Sequence, residues 1–163
     1  MVEHVWLPER TALVVDDDAF ILSALAEVLS EDGYDVHSAS NGFSALRQAM
    51  ELRPTVMLLD LVLPERSGKD ILRDLRADPA TRDMAIVVVT GHAECLNEAQ
   101  LTEIDGLVAK PFDLDDLLVT VQRAVQRAAG RRAEVPPVMA ALHRDAAGRS
   151  RYPTGIRRSR GRR

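Results

Sequence analysis

Five side chains in this sequence have the types and places to do chemistry together. Asp16 and Asp17 follow the apolar run "ALVV", Asp60 follows "VMLL", Thr90 closes "IVVVT", and Lys110 follows "GLVA". Carboxylates crowded together repel, and each raises the other's pKa unless a cation joins them. Asp16, Asp17 and Asp60 make a hard oxygen set suited to Mg²⁺, which keeps waters and takes few protein carboxylates. Lys110 supplies a compact positive charge that can meet the oxygens of a phosphoryl group. Asp60 is the candidate nucleophile, since carboxylates form aspartyl-phosphate intermediates. Asp18 is set apart from this group, because an acid at the start of a helical run is a cap.

The elements that must position these residues follow from periodicity. Short apolar runs, "TALVV", "VMLL", "IVVV" and "GLVA", alternate with stretches whose apolar residues recur at helical spacing. Ile21, Leu25 and Val28 form one helical stripe, and Leu46, Ala49 and Met50 a second. A third carries Ile71, Leu72 and Leu75, and the last carries Leu114, Leu117, Leu118, Val121 and Val125. "YDVHSAS" reads as a weaker strand, and "AECLNEAQLTE" as one modest helix. Strands alternating with helices predict an α/β sandwich on a five-stranded parallel sheet, because parallel strands need crossover helices. Strands this apolar fit a sheet covered on both faces. The expected strand order is 2-1-3-4-5, with ligands bound beyond the carboxyl ends of the strands at the switch point. All five chemical residues fall at such ends.

Length and composition set the bounds. The chain has 163 residues, 46% hydrophobic and 28% charged, enough for one domain with a real core. No apolar stretch approaches the ~18 residues of a membrane span. The start, "MVEHVWLPER", lacks the basic-then-apolar pattern of a signal peptide. The single cysteine, Cys95, cannot form an internal disulfide, which suits a reducing compartment. The expected location is the cytoplasm. The net charge of −4 hides an asymmetry: residues 128–163 carry ten arginines against Glu134 and Asp145. That change predicts a boundary near Gly130, between a domain over 10–129 and a disordered, arginine-rich tail over 130–163.

Taken together, "VVDDD", "LLDLVLPERSG", "VVVTG" and "AKPF", in this order and spacing, resemble the receiver domain of two-component response regulators. The resemblance covers about Arg10 to Ala129 and implies a flavodoxin-like three-layer sandwich. It implies that Asp60 is the phosphoacceptor, taking a phosphoryl group from a histidine on a sensor kinase or phosphotransfer protein. It further implies that Asp17 ligates Mg²⁺ directly, that Asp16 holds a metal-bound water, and that the Val62 backbone carbonyl is another ligand. Thr90 resembles the switch hydroxyl, Lys110 its ammonium partner, and Lys110–Pro111 the family's cis peptide. Val62 and His92 stand where residues bordering the path of a hydrolytic water are found. Two departures stand out: Leu107 occupies the place of a common aromatic switch residue, and the segment from Thr90 to Lys110 is about two residues short.

The expected function is therefore a phosphorylation-controlled switch that catalyses only its own phosphorylation and dephosphorylation. Its output would be a partner protein reading the helix 4–strand 5–helix 5 face, a homodimer, or the tail. One alternative is a DNA-binding transcription regulator acting through the basic tail. Against it, residues 128–163 show no helix-turn-helix pattern, and the chain's 19 arginines to two lysines point to a general arginine bias. The other is a haloacid-dehalogenase-type phosphatase, which also uses an aspartyl nucleophile. Such enzymes place a second Asp two residues on, where Val62 stands.

Overall fold

The computed structural model describes residues 10–134. Its elements run β1 (Arg10–Val15), α1 (Ala19–Glu31), β2 (Tyr34–Ala39), α2 (Gly42–Leu52), β3 (Val56–Leu59) and α3 (Gly68–Ala77). Then come β4 (Ala85–Thr90), a 3₁₀ turn (Ala93–Cys95), α4 (Glu98–Glu103), β5 (Gly106–Ala109) and α5 (Leu114–Glu134). The strands form one parallel sheet in the order β2-β1-β3-β4-β5, the order expected from the sequence.

Alternation along each strand divides the core into two layers. Ala12, Val14, Leu58 and Val87 face Leu25 and Leu29 of α1 and Leu117 and Val121 of α5. Leu13, Val15, Met57 and Ile86 face Ala45 and Ala49 of α2 and Ile71, Leu72 and Leu75 of α3. Two stripe residues named from periodicity lie outside these layers: Met50 and Leu114 are both exposed. Met50 lies in the last turn of α2, and Leu114 is the first residue of α5.

Side-chain caps start four of the helices. Asp18 accepts from the N–H groups of Phe20 and Ile21, Asn41 from Ser44, Ser67 from Asp70, and Asp113 from Asp115 and Asp116. Each satisfies amide donors the first turn leaves unpaired. Asp18 is thus a cap, as its place in "VVDDD" implied.

The β4–β5 connection departs from the single helix expected over "AECLNEAQLTE". Leu96 turns to an extended conformation and is buried beside Leu61 and Val88. Asn97 then starts a separate helix with a reciprocal capping box to Gln100. Burying Leu96 costs the helix its continuity and leaves α4 six residues long.

The chain also continues differently near the expected boundary. The last helix runs through Gly130 to Glu134. Its end is held by a buried acid, Asp105, whose carboxylate pairs with Arg76 of α3 at 3.1 Å and with Arg131 of α5. Asp105 also accepts from the Ile86 N–H at 2.9 Å, and Arg127 donates to its carbonyl. Arg76 in turn reaches the carbonyls of Arg82, Met84 and Glu103. Arg131 belongs to the folded domain through these contacts, not to a tail. The remainder of the expected tail, 135–163, lies outside the described residues.

Candidate functional site

The carboxyl ends of β1, β3, β4 and β5 bring the chemistry-bearing residues to one rim. Asp16 follows β1 and its N–H bonds the Ala39 carbonyl, which continues the β1–β2 ladder by one residue. The Asp60 N–H bonds the Val15 carbonyl at 3.0 Å and fixes the backbone after β3. Gly68 allows the start of α3 to close over this point. A Cβ there would stand 2.2 Å from the Asp60 carbonyl oxygen, so no larger residue fits without moving the loop. The motif "ERSG" carried that signal, but only the close approach reveals what the glycine does.

Asp16 and Asp60 are buried and Asp17 is exposed. One oxygen from each of the three lies within 4.8 Å of the others. Lys110 Nζ donates to Asp16 Oδ2 at 2.5 Å and to Asp60 Oδ2 at 2.9 Å. Each remaining oxygen takes one backbone donor: Asp16 Oδ1 accepts the Asp18 N–H at 2.9 Å, and Asp60 Oδ1 the Val62 N–H at 3.3 Å. Burial alone would lower the Lys110 pKa, but the hydrogen bonds and charges of Asp16 and Asp60 outweigh it and hold the ammonium above the ordinary lysine value.

Three carboxylates against one ammonium leave an excess of negative charge in a half-buried pocket. An all-oxygen donor set with open water access on the Asp17 side fits a hard divalent cation such as Mg²⁺.

Thr90 is fully buried at the end of β4. Its hydroxyl accepts the His92 N–H at 3.2 Å and is not bonded to the carboxylates or to Lys110. Its carbonyl, however, accepts the Lys110 N–H at 2.9 Å, so the two residues are adjacent through the backbone. The Lys110–Pro111 peptide is cis. The Val62 side chain is 54% exposed beside Asp60. The His92 ring is turned outward, with Nδ1 at 3.3 Å from Glu94. Leu107 on β5 is exposed at 39%.

Comparison with known proteins assigns this fold and rim to a family. The family model described as "Response regulator receiver domain" matches residues 12–122. The chain belongs to that family, and the domain is a receiver of the two-component response regulators. It is similar to the transcriptional regulatory protein KdpE of Mycobacterium tuberculosis, 38% identical over 117 residues. That match covers 71% of this chain and 50% of KdpE, so the chain spans about half the length of this curated relative. Among solved structures it resembles a sensor protein from Polaromonas sp. JS666, with 31% identity, a TM-score of 0.68, and 74% and 99% of the two chains covered. It also resembles the receiver domain of sensor histidine kinase PA1611 from Pseudomonas aeruginosa PAO1, solved with magnesium coordinated in its active-site cleft. That likeness has 27% identity, a TM-score of 0.66, and 72% and 98% of the chains covered.

The sequence singled out the rim but missed the network at the opposite, amino-terminal end of β4 and β5. Asp105, Arg76 and Arg131 are 29 and 26 residues apart in pairs, and no local pattern links them. The single hint was "IDGLV", an acid directly before an apolar strand.

Proposed function

We propose that this chain is a phosphoacceptor switch in which Asp60 takes a phosphoryl group from a phosphohistidine on a sensor kinase or phosphotransfer protein. The observation that carries the reading is the convergence on Asp60, at the end of β3, of two further carboxylates from the end of β1 and an ammonium from the end of β5. In the step, a carboxylate oxygen of Asp60 forms the bond to phosphorus while the phosphorus–nitrogen bond breaks and the imidazole leaves. Lys110, already donating to Asp60, meets the oxygens of the incoming group. Asp16, Asp17, Asp60 and the Val62 carbonyl would hold Mg²⁺, which when bound supplies charge neutralisation for the transferring group.

The switch follows from the same residues. A phosphoryl group on Asp60 adds negative charge and acceptor oxygens. Thr90 is proposed to trade its bond with the His92 N–H for one of those oxygens. That would move the segment after β4 and shift the population of states seen by a partner on the α4–β5–α5 face. A homodimer could read the same face. The proposed location is the cytoplasm; no helix among the described residues is long and apolar enough to cross a membrane. KdpE is a transcriptional regulator by name, and DNA binding here would have to come from segments outside the described residues.

Incubation with acetyl phosphate and Mg²⁺, followed by intact-mass spectrometry, tests the reading. One added phosphoryl group in the wild type and none in Asp60→Asn is expected. Equal labelling of the two proteins would place the nucleophile elsewhere.

A further inference from the structure

An open groove of about 270 Å³ runs between β5 and the first half of α5. Leu107, Pro111 and Phe112 line it from β5 and the loop after it, and Asp113, Asp116 and Thr120 from the helix and its cap. Leu107 and the neighbouring Leu114 are exposed at 39% and 41%. The groove thus combines apolar side chains from β5 and the following loop with acidic ones from the start of the helix.

The surface charge of α5 is divided along its length. Asp113, Asp115 and Asp116 stand at its start, while Arg123 lies at its middle and Arg127, Arg131 and Arg132 in its second half. Among the described residues none of the three aspartates takes part in an ion pair. A cationic chain leaving the end of α5 is therefore repelled by the near half of the helix and attracted to the far half.

The chain supplies such a segment. Residues 144–163 hold eight arginines against Asp145, together with Tyr152 and Ile156. Residues 135–143, "VPPVMAALH", carry no Asp, Glu, Lys or Arg. Nine extended residues span up to roughly 30 Å. The way back along α5 from Glu134 to Thr120 is about 21 Å at 1.5 Å per residue. The neutral stretch is thus long enough to carry the arginines to the acidic half.

We propose that the arginine-rich segment 144–163 docks in cis on the groove between β5 and the first half of α5. Arginine forks would pair with Asp113, Asp115 and Asp116, and Tyr152 or Ile156 would cover Leu107. Exposed ion pairs are individually weak and screened by salt. Tethering compensates, since a linked segment meets its site at an effective concentration on the order of millimolar. The docked segment occupies the surface that a partner reading β5 and α5 needs, so it acts as a built-in competitor. This inference stands on the groove and the charges, whether or not Asp60 is phosphorylated.

The test uses the full chain with Cys95→Ser and a spin label on Ser150→Cys, observed through backbone amide resonances. At about 0.05 M salt the Leu107, Asp116 and Thr120 signals should lose most of their intensity, and regain it near 1 M, where screening acts over roughly 3 Å. Asp113→Asn with Asp116→Asn, which keeps an amide oxygen at the cap, should also restore the signals while the spectrum stays dispersed. Three results would overturn the proposal. One is undiminished signals at low salt, and another is broadening unchanged in the double variant. The third is broadening that needs a second, separately labelled copy, which would make the contact intermolecular.

Discussion

Lys110 Nζ lies 2.9 Å from Asp60 Oδ2, across a separation of 50 residues. The same ammonium donates to Asp16, so one cation bridges the ends of β1 and β3 from β5. The contact ties the candidate nucleophile to a charge that can follow it through the reaction.

The bridge has a pH signature. Because the folded-state pKa of Lys110 is raised, its contribution is complete below the unfolded value of about 10.4 and is lost as pH rises through the folded one. Urea midpoints of the wild type and Lys110→Met, compared from about pH 8 upward, should converge above about pH 10.4. A gap that stays constant or widens would refute the assignment.

Asp17 is the exposed member of the acidic trio, free to turn an oxygen toward a cation. Asp17→Ala should weaken Mg²⁺ binding at least about tenfold, or about 1.4 kcal/mol, in a calorimetric titration. Binding as tight as wild type would remove Asp17 from the ligand set.

Val62 donates its N–H to Asp60 but offers no side-chain hydrogen bond, and the His92 ring is turned to Glu94. Neither side chain is placed to orient a water in line with the phosphorus, so the phosphorylated state should be long-lived. Val62→Asn should shorten its lifetime roughly tenfold, about 1.4 kcal/mol of barrier. Decay within seconds in the wild type, or no change in the variant, would contradict this account of Val62.

At the amino-terminal end of β4 and β5, Arg76 is the more buried partner of Asp105 and also serves three carbonyls. Arg76→Gln should cost about 3 kcal/mol of stability, in the range for breaking a buried pair. Arg131→Gln, which leaves Asp105 its Arg76 partner, should cost about 1 kcal/mol. Denaturant unfolding measures both; equal costs would show that neither arginine dominates, and a reversed order that Arg131 is the main anchor.

Much of this was legible because the informative residues sit where strands end. Apolar runs such as "VMLL" and "IVVV" specify buried parallel strands, and the topology then gathers Asp16, Asp17, Asp60 and Lys110 without further information. Elements set by tertiary context were not legible. Burial of Leu96 divides the helix expected over "AECLNEAQLTE". The Asp105 contacts hold α5 past Gly130, where the change in charge had suggested a boundary. The close approach of Gly68 to the Asp60 backbone likewise depends on two segments meeting in space.

That Asp60 is the residue accepting the phosphoryl group is tested most directly by trapping the acyl phosphate. Borohydride reduction of the phosphorylated chain converts a phosphoaspartate to homoserine, and peptide mass spectrometry then reads its position. Homoserine at position 60 is the expected result. Homoserine at position 16 or 17, with Asp60 recovered unchanged, would contradict the account.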